Sequence, residues 1–456
     1  MFKKYKENKI KIIFQIKKKV VILQRKTEKK RDMNGYKERV FDQLLSRKLE
    51  GMGAVLIEGP KWCGKTTTAA QLCKSAIYMN DPKEYNRNMQ LADSDPQMLL
   101  EGPAPRLIDE WQEATKLWDA VRYEVDRRNE DGQFVLTGSA VPADMSQVRH
   151  TGTGRIVRMQ MRTMSLWESG DSTGDISLLD LFSGSAHNAV TMDKTLQEVA
   201  FLVCRGGWPR AVTQKKNIAL ERAFDYVEAV VSSDISRADG VQRNPDRARR
   251  VMRSYARFQG TQTPMSKIRA DVMEGTDVTF DEKTLASYLN ALRSIFVIED
   301  MPSWNPNLRS KAAIRTADTR YFTDSSIAAA ALGVGPKDLM NDLETFGLFF
   351  ETMAVHDLRV YAQALNGRVY HYRDSDGLEC DTVIHLRNGD YGLAEIKLGG
   401  DRLIEEGATS LLKLSDKIDT TKMKKPSFLM VLTANGSYVY RRPDGVWVVP
   451  IGSLKD

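Results

Sequence analysis

The sequence is poor in the residues that build disulfide scaffolds and metal clusters. Its 456 residues include five histidines and four cysteines, and the cysteines show no paired metal-binding spacing: Cys63, Cys73, Cys204 and Cys380. Sparse, unpatterned cysteine argues against a disulfide framework and is typical of a reducing interior, so we expect a cytoplasmic protein. No stretch approaches the ~18 uninterrupted apolar residues of a membrane helix, so we expect no membrane span.

An excess of one charge sign is confined to the N-terminus. The net charge is +7, but residues 1–32 carry thirteen Lys or Arg and three Asp or Glu, which leaves −3 for the rest. We expect residues 1–35 to form a basic tail, for which three interpretations stay open. These are an upstream start with Met33 as the working start, an arm that contacts nucleic acid or an anionic surface, and a helix lying on a membrane.

A glycine-rich loop follows a short apolar strand near the start of the remaining chain. The pattern predicts a strand over 53–58 and a helix over 66–73, and the segment between them matches G-x-x-x-x-G-K-[ST]: Gly59, Pro60, Lys61, Trp62, Cys63, Gly64, Lys65 and Thr66. Its glycines let backbone N–H groups point at phosphate oxygens, and the helix N-terminus adds its dipole. We therefore predict that this loop, with Thr67, holds ATP. Lys65 would contact the β- and γ-phosphates and Thr66 would contact Mg²⁺.

Three elements downstream of the loop fit nucleotide hydrolysis. A predicted strand at 106–108 ends in Asp109, which would hold Mg²⁺, and Glu110, which would polarise the attacking water. Another strand, at 133–137, has a polar end, where Thr137 or Ser139 could contact the γ-phosphate; an ordinary strand-end turn is the alternative. Arg155 is a candidate arginine finger acting on a second copy of the chain, and a solvated or salt-bridged arginine is the alternative. Strands alternating with helices predict a parallel sheet over residues 36–165.

Residues 166–335 show a turn-rich segment followed by helical patterns. The segment over 169–196 is rich in turn residues and predicts a loop or an insertion. Helices at 264–272 and 281–294, a strand at 296–301 and a basic stretch at 309–320 together resemble a winged helix. DNA contact through this unit and packing against a domain or partner both stay open.

A second group of acidic and basic residues lies in the predicted C-terminal α/β domain, residues 336–456. Glu351 lies on a predicted helix, Asp381 begins a strand, and Glu395 and Lys397 share one face of another because strand side chains alternate. Aspartate followed by Glu-x-Lys is the PD-(D/E)xK nuclease pattern. Glu351, Asp381 and Glu395 would bind Mg²⁺, and Lys397 would orient or deprotonate water. An inactive salt-bridge cluster would use the same residues.

Several motifs in order resemble a known family. GPKWCGKTT, RLIDEWQ, FVLTGSA and GRIVRMQMRTMSLWE are similar to the N-terminal domain of a large prokaryotic group of AAA-type ATPases with a C-terminal region called DUF4143. The motifs GGWP at 206–209, YFTD at 321–324 and GLFFE at 347–351 fit the same group, as does a helix at 226–234 that ends in an aspartate. The resemblance spans residues 36–456. It implies an α/β chain with a P-loop NTPase sheet, a helical and winged-helix middle region and a restriction-endonuclease-like C-terminal domain.

Two functions from different classes follow from these patterns. The leading hypothesis is an ATP-binding, Mg²⁺-dependent ATPase with a fused nuclease-like domain that acts on nucleic acid. The alternative is an ATP-dependent switch or scaffold that binds DNA or a protein and cuts nothing. A second copy of the chain is a further candidate partner, because AAA-type sites often use an arginine from a neighbour.

Overall fold

The computed structural model describes residues 35–138, 151–275, 280–305 and 317–456. Residues 35–39 belong to a separate unit with the N-terminal segment and contain no helix or strand. The rest of the described chain belongs to one unit. The predicted basic tail, apart from Gly35, and most of the predicted basic stretch at 309–320 lie outside the described residues.

A five-stranded parallel sheet forms the first part of this unit, as the alternating pattern predicts. Its strand order is β2-β3-β4-β1-β5. The strands are β1 (Ala54–Glu58), β2 (Ser75–Tyr78), β3 (Arg106–Asp109), β4 (Phe134–Gly138) and β5 (Ile156–Gln160). The helices are α1 (Val40–Leu49), α2 (Lys65–Leu72), α3 (Tyr85–Ser94) and α4 (Lys116–Arg128), with 3-10 turns at Pro96–Leu100 and Trp111–Ala114.

Alternating side chains of the central strand β1 enter two cores on opposite faces of this sheet. Leu56 packs in one core with Trp118, whereas Val55 and Ile57 pack in the other with Leu45. Burial on both faces explains why the strand has a continuous apolar sequence. The sequence analysis missed α3, because among its residues only Asn88 and Ala92 are buried and no apolar stripe marks it.

The turn-rich segment at 169–196 contains short regular elements rather than only loop. These are α5 (Leu166–Ser169), β6 (Ile176–Ser177), α6 (Leu178–Ser183) and β7 (Ala189–Val190). Two-residue strands are defined by their pairing partners, so no local pattern predicts them.

The middle of the chain is helical. Its helices are α7 (Leu196–Arg205), α8 (Pro209–Val212), α9 (Lys216–Ala229), α10 (Ile235–Arg237), α11 (Pro245–Arg257), α12 (Met265–Met273), α13 (Glu282–Ser294), α14 (Ser325–Leu332) and α15 (Pro336–Asn341), with a π-helical turn at Val230–Asp234. Helices α12 and α13 are present where the winged-helix pattern placed them. The predicted strand at 296–301 is reduced to isolated bridges, Ile298 to Phe322 and Met301 to Thr319. Phe296 has a φ of 60°, which a regular strand cannot include.

A long helix and a seven-stranded mixed sheet form the C-terminal part. The helices are α16 (Leu343–Ala364), buried along most of its length, and α17 (Asp401–Lys417). The strands are β8 (Gly367–Arg373), β9 (Glu379–Leu386), β10 (Tyr391–Lys397), β11 (Phe428–Thr433), β12 (Tyr438–Arg441), β13 (Trp447–Pro450) and β14 (Leu454–Lys455), with a 3-10 turn at Ile451–Ser453. The sheet order is β7-β12-β13-β11-β10-β9-β8, and β14 pairs with β6. The segment before the helical region thus adds strands to the C-terminal part. None of the described helices is long and apolar enough to cross a membrane.

Candidate nucleotide site and C-terminal carboxylate cluster

The glycine-rich loop lies at the carboxyl edge of the parallel sheet, between β1 and α2. Gly59 has a φ of 153°, and a Cβ there would lie 2.1 Å from the backbone oxygen of Met161, so only glycine fits. The buried Lys65 side chain donates from Nζ to the backbone oxygens of Gly59 and Pro60, at 2.8 Å each. The Lys65 side chain thus folds back onto its own loop, and its ammonium lies beside the loop backbone that would bind phosphate.

Asp109 joins the loop to the two neighbouring strands. Its Oδ1 accepts a hydrogen bond from Thr66 Oγ1 at 2.6 Å and another from Thr137 Oγ1 at 2.5 Å. These residues meet because β1 and β3 flank β4, with Asp109 in register with Thr137. A hydroxyl and a carboxylate are hard oxygen donors of the kind that Mg²⁺ takes, so Thr66 and Asp109 fit a magnesium ion.

Glu110 follows Asp109 in a left-handed conformation, with a φ of 54°. Its carboxylate accepts a hydrogen bond from Gln112 Nε2. Burial raises the pKa of Glu110 above its ordinary value, and the charges of Lys65 and Lys61 partly offset the rise. A carboxylate with a raised pKa beside a phosphate loop suits a residue that polarises water.

The second predicted site lies where β9 and β10 pair. Lys397 Nζ lies 2.7 Å from Glu395 Oε2 and 3.3 Å from Asp381 Oδ2, and the backbone N–H of Ile396 donates to Asp381 Oδ2 at 2.7 Å. Glu351, on α16, accepts a hydrogen bond from the Tyr321 hydroxyl. The structure thus brings together the carboxylates and the lysine that the strand periodicity predicted.

The charges in this cluster act on one another. Burial and the neighbouring charge of Asp381 raise the pKa of both Glu351 and Glu395. Burial alone would lower the pKa of Lys397, but the charges of Asp381 and Glu395 more than offset it and leave that pKa raised. Asp381 and Glu395 therefore share the ammonium of Lys397, and Glu351 is affected by the charge of Asp381.

Matches to protein families decide what kind of chain carries these two sites. Residues 52–169 match the family model described as "AAA domain", and residues 346–454 match "Domain of unknown function (DUF4143)". The chain therefore carries an AAA domain, which contains the P-loop, and a C-terminal DUF4143 domain. Between these two domains, residues 196–338 match a further domain of unknown function, DUF8612.

Relatives of this chain span most of its length. Uncharacterized proteins of Mycobacterium bovis and Mycobacterium tuberculosis are each 24% identical over 359 residues, which is 77% of this chain and 72% of each relative. A solved Walker-type ATPase of Pyrococcus abyssi is 14% identical with a TM-score of 0.39, over 64% of this chain and 94% of its own. The helicase domain of Hef from Pyrococcus furiosus is 10% identical with a TM-score of 0.20, over 88% and 90%.

Ser139 and Arg155 were also predicted for the nucleotide site. Ser139 lies outside the described residues, and Thr137 is the strand-end hydroxyl that contacts Asp109. Arg155 precedes β5 at the amino edge of the sheet, where its side chain pairs with Asp126 at 2.8 Å. Strands β1 and β5 are five residues long. They separate the two edges by roughly 13 to 16 Å, so Arg155 does not reach its own loop. Its action on a second copy stays a prediction.

The helical region contributes contacts to the AAA domain loop that the sequence analysis did not predict. Lys61 Nζ lies 2.5 Å from Asp234 Oδ1, and the Trp62 ring meets the Tyr226 ring edge-on at 5.6 Å between centroids. Tyr226 also packs against Trp208 at 4.4 Å. The motifs at 206–209 and 226–234 signalled these residues only as family features. The remaining loop residues are Cys63, which is buried, and Thr67, which is exposed.

Two carboxylates of the DUF4143 cluster form ion pairs with the lysine of the same cluster. Within the part of the chain that the structure describes, no three His, Cys, Asp or Glu side chains are grouped to hold a metal ion. The ammonium of Lys397 contacts both Asp381 and Glu395. This arrangement is that of a partly buried ion-pair cluster.

Proposed function

We propose that this protein hydrolyses ATP with Mg²⁺ at the loop of residues 59–66. The observation that carries the proposal is the position of Asp109, whose carboxylate accepts hydrogen bonds from both Thr66 and Thr137. This contact links the phosphate loop to the carboxyl ends of two neighbouring strands. Such a junction is where open α/β sheets bind ligands, and it presents hard oxygen donors beside a phosphate cradle.

Each residue would have a distinct role in the reaction. The backbone of residues 59–66 would hold the phosphates, and Lys65 would exchange its loop carbonyl partners for phosphate oxygens. Thr66 and Asp109 would hold Mg²⁺, which would supply positive charge to the phosphate oxygens. Glu110 would orient and polarise the attacking water, for which its raised pKa is suited.

Replacement of Lys65 tests this assignment. Lys65→Ala should reduce phosphate release from ATP to background while the thermal unfolding midpoint changes little. Among the described residues, its side chain bonds to carbonyl oxygens of its own loop. A matched control is Lys424→Ala, which removes a lysine bonded at 2.6 Å to Asp390 on the DUF4143 domain. Turnover by Lys65→Ala equal to that of the wild type would show that hydrolysis occurs elsewhere.

Cleavage of nucleic acid at the DUF4143 cluster is a second candidate function. The contacts among Asp381, Glu395 and Lys397 support it, because they place two carboxylates and a lysine on adjacent strands. The ion pairs of Lys397 with Asp381 and Glu395 support the alternative, a switch or scaffold that cuts nothing. We therefore assign no metal-dependent step to these residues.

A cleavage assay separates the two functions. Purified protein would be incubated with single- and double-stranded DNA and RNA, in Mg²⁺ or Mn²⁺, with and without ATP. Cleavage that disappears in Asp381→Ala would support the nuclease. A lack of cleavage with every nucleic acid, or equal cleavage by Asp381→Ala, would leave the scaffold function.

The salt dependence of DNA affinity tests whether this chain binds nucleic acid. The basic helix α11 uses several arginines internally: Arg249 pairs with Glu228 and Asp246, and Arg257 pairs with Asp271. If phosphates are contacted elsewhere on the chain, affinity for DNA must fall steeply as salt rises. Affinity that is absent, or unchanged between low and high salt, would favour a protein partner.

A further inference from the structure

Two consecutive loop residues of the AAA domain contact the helical region. The Lys61 ammonium lies 2.5 Å from the Asp234 carboxylate, and Trp62 packs edge-on against the buried Tyr226. Trp62 has a φ of 66°, a conformation that bulky residues rarely adopt and that the surrounding contacts must maintain. The helical region therefore contacts the phosphate loop in the middle of its sequence, between its two glycines.

The two side chains of this ion pair differ in their exposure to solvent. The Lys61 side chain is 40% exposed, whereas that of Asp234 is 11% exposed and belongs to the π-helical turn at the end of α9. A single turn of π-helix inside an α-helix often occurs at a functional site. The lysine has room to change partner while the aspartate stays in place.

Lys61 also belongs to the loop that would hold the phosphates. It lies between Gly59 and Gly64, four residues before Lys65, so the same loop carries both ammonium groups. The buried Lys65 donates to carbonyl oxygens of this loop, whereas Arg155 lies at the other edge of the sheet. Lys61 is thus a second cation that the chain brings to the phosphate loop.

We propose that Lys61 is a second phosphate-binding cation of the nucleotide site and that Asp234 holds it away from phosphate when no nucleotide is bound. The inference rests on the proposed ATP site. A bound triphosphate would bring several negative charges to the loop and compete with Asp234 for the ammonium. Exchange of Lys61 from carboxylate to phosphate would release its contact with the helical region, so that region would sense the nucleotide.

Four proteins test this exchange: the wild type, Lys61→Met, Asp234→Asn and the double variant. The affinity for ATP and the values of kcat and KM would be measured for each. Lys61→Met should lower kcat by about tenfold or more, the usual effect of one charge-assisted contact. Asp234→Asn should bind ATP at least about threefold more tightly, because Lys61 no longer has to leave a competing carboxylate.

The double variant shows whether the two residues act through each other. With Lys61 replaced, the loss of Asp234 should no longer tighten ATP binding, so the double variant should match Lys61→Met. A purely structural ion pair would instead lower the thermal unfolding midpoint and leave affinity and kcat unchanged. Lys424→Met and Asp390→Asn, which break a 2.6 Å pair on the DUF4143 domain, should leave ATP binding and turnover unchanged.

Several results would overturn the exchange. Asp234→Asn that binds ATP no more tightly than the wild type, or Lys61→Met with unchanged kcat, contradicts it. If Asp234→Asn does not fold, Lys61→Met decides alone, because its side chain is partly exposed and its loss disturbs no core. If the wild type binds no ATP, the proposed function fails and this inference fails with it. If the wild type binds ATP and the variants have the same affinity and kcat as the wild type, only this inference is refuted.

Discussion

An ion-pair cluster around Glu299 joins the AAA domain to the parts of the chain that follow it, and its loss should be costly. Arg162 Nη2 lies 2.5 Å from Glu299 Oε1, and Arg359 Nη1, on α16, lies 3.8 Å from Glu299 Oε2. Burial alone would raise the pKa of Glu299, but the charges of Arg162 and Arg359 more than offset it and lower that pKa to about 2. Glu299→Gln would leave both arginines without their counter-charge.

The size of the effect follows from the pKa. A carboxyl that ionises at about 2 in the folded chain and at 4.5 when unfolded contributes about 3 kcal/mol at neutral pH. Since the folded pKa is the lower one, this stability is fully present above pH 4.5 and is lost as the pH falls towards 2. At pH 3 it should have fallen to about half or less of its neutral value.

The assay is the unfolding midpoint of wild type and Glu299→Gln, measured at pH 7, 4 and 3. The variant should unfold earlier at pH 7, and the difference should shrink as the pH falls. The matched control is Glu228→Gln, which breaks an exposed pair with Arg249 at 2.7 Å and should cost at most about 1 kcal/mol. The reasoning fails if Glu299→Gln costs no more than Glu228→Gln, or if its cost does not depend on pH.

Other substitutions test the loop and the helical region. In a turnover assay, Gly59→Ala should reduce ATP turnover by roughly a hundredfold, because its Cβ would displace the loop from Met161. The control is Gly154→Ala, since Gly154 also has a positive φ but a Cβ there would have no atom within 4 Å. Equal turnover in both variants would contradict the need for glycine in the loop. Trp208→Phe removes the 2.9 Å hydrogen bond from Nε1 to Ser326 Oγ and should lower stability by about 1 kcal/mol in a denaturant titration. An unchanged midpoint would show that this buried bond contributes nothing.

The sequence predicts which residues of the candidate nucleotide site lie close together, because chain geometry limits where the strand ends lie. Parallel strands place their carboxyl ends at one edge, so Thr66, Asp109 and Thr137 had to come close once the strands were recognised. The alternation of side chains along a strand likewise places Glu395 and Lys397, two residues apart, on the same face of β10. In both cases a local pattern determines a three-dimensional position.

Contacts between distant segments carry no such pattern. Lys61 and Asp234 are 173 residues apart, and nothing in either local sequence indicates that they meet. The two-residue strands β6 and β7 join C-terminal strands for the same reason. Arg155 is a plausible finger by sequence, but its place before β5 puts it at the edge opposite the loop.

The central claim is that Asp109 and Thr66 hold the Mg²⁺ of an ATP-hydrolysing site. The most direct measurement is steady-state ATP turnover by wild type and Asp109→Asn over a range of Mg²⁺ concentrations. We expect wild-type turnover to require Mg²⁺ and the variant to need about 10- to 100-fold more of it, or to be inactive, because a carboxylate donor is lost. Turnover that does not depend on Mg²⁺, or that is the same in both proteins at every concentration, would contradict the account.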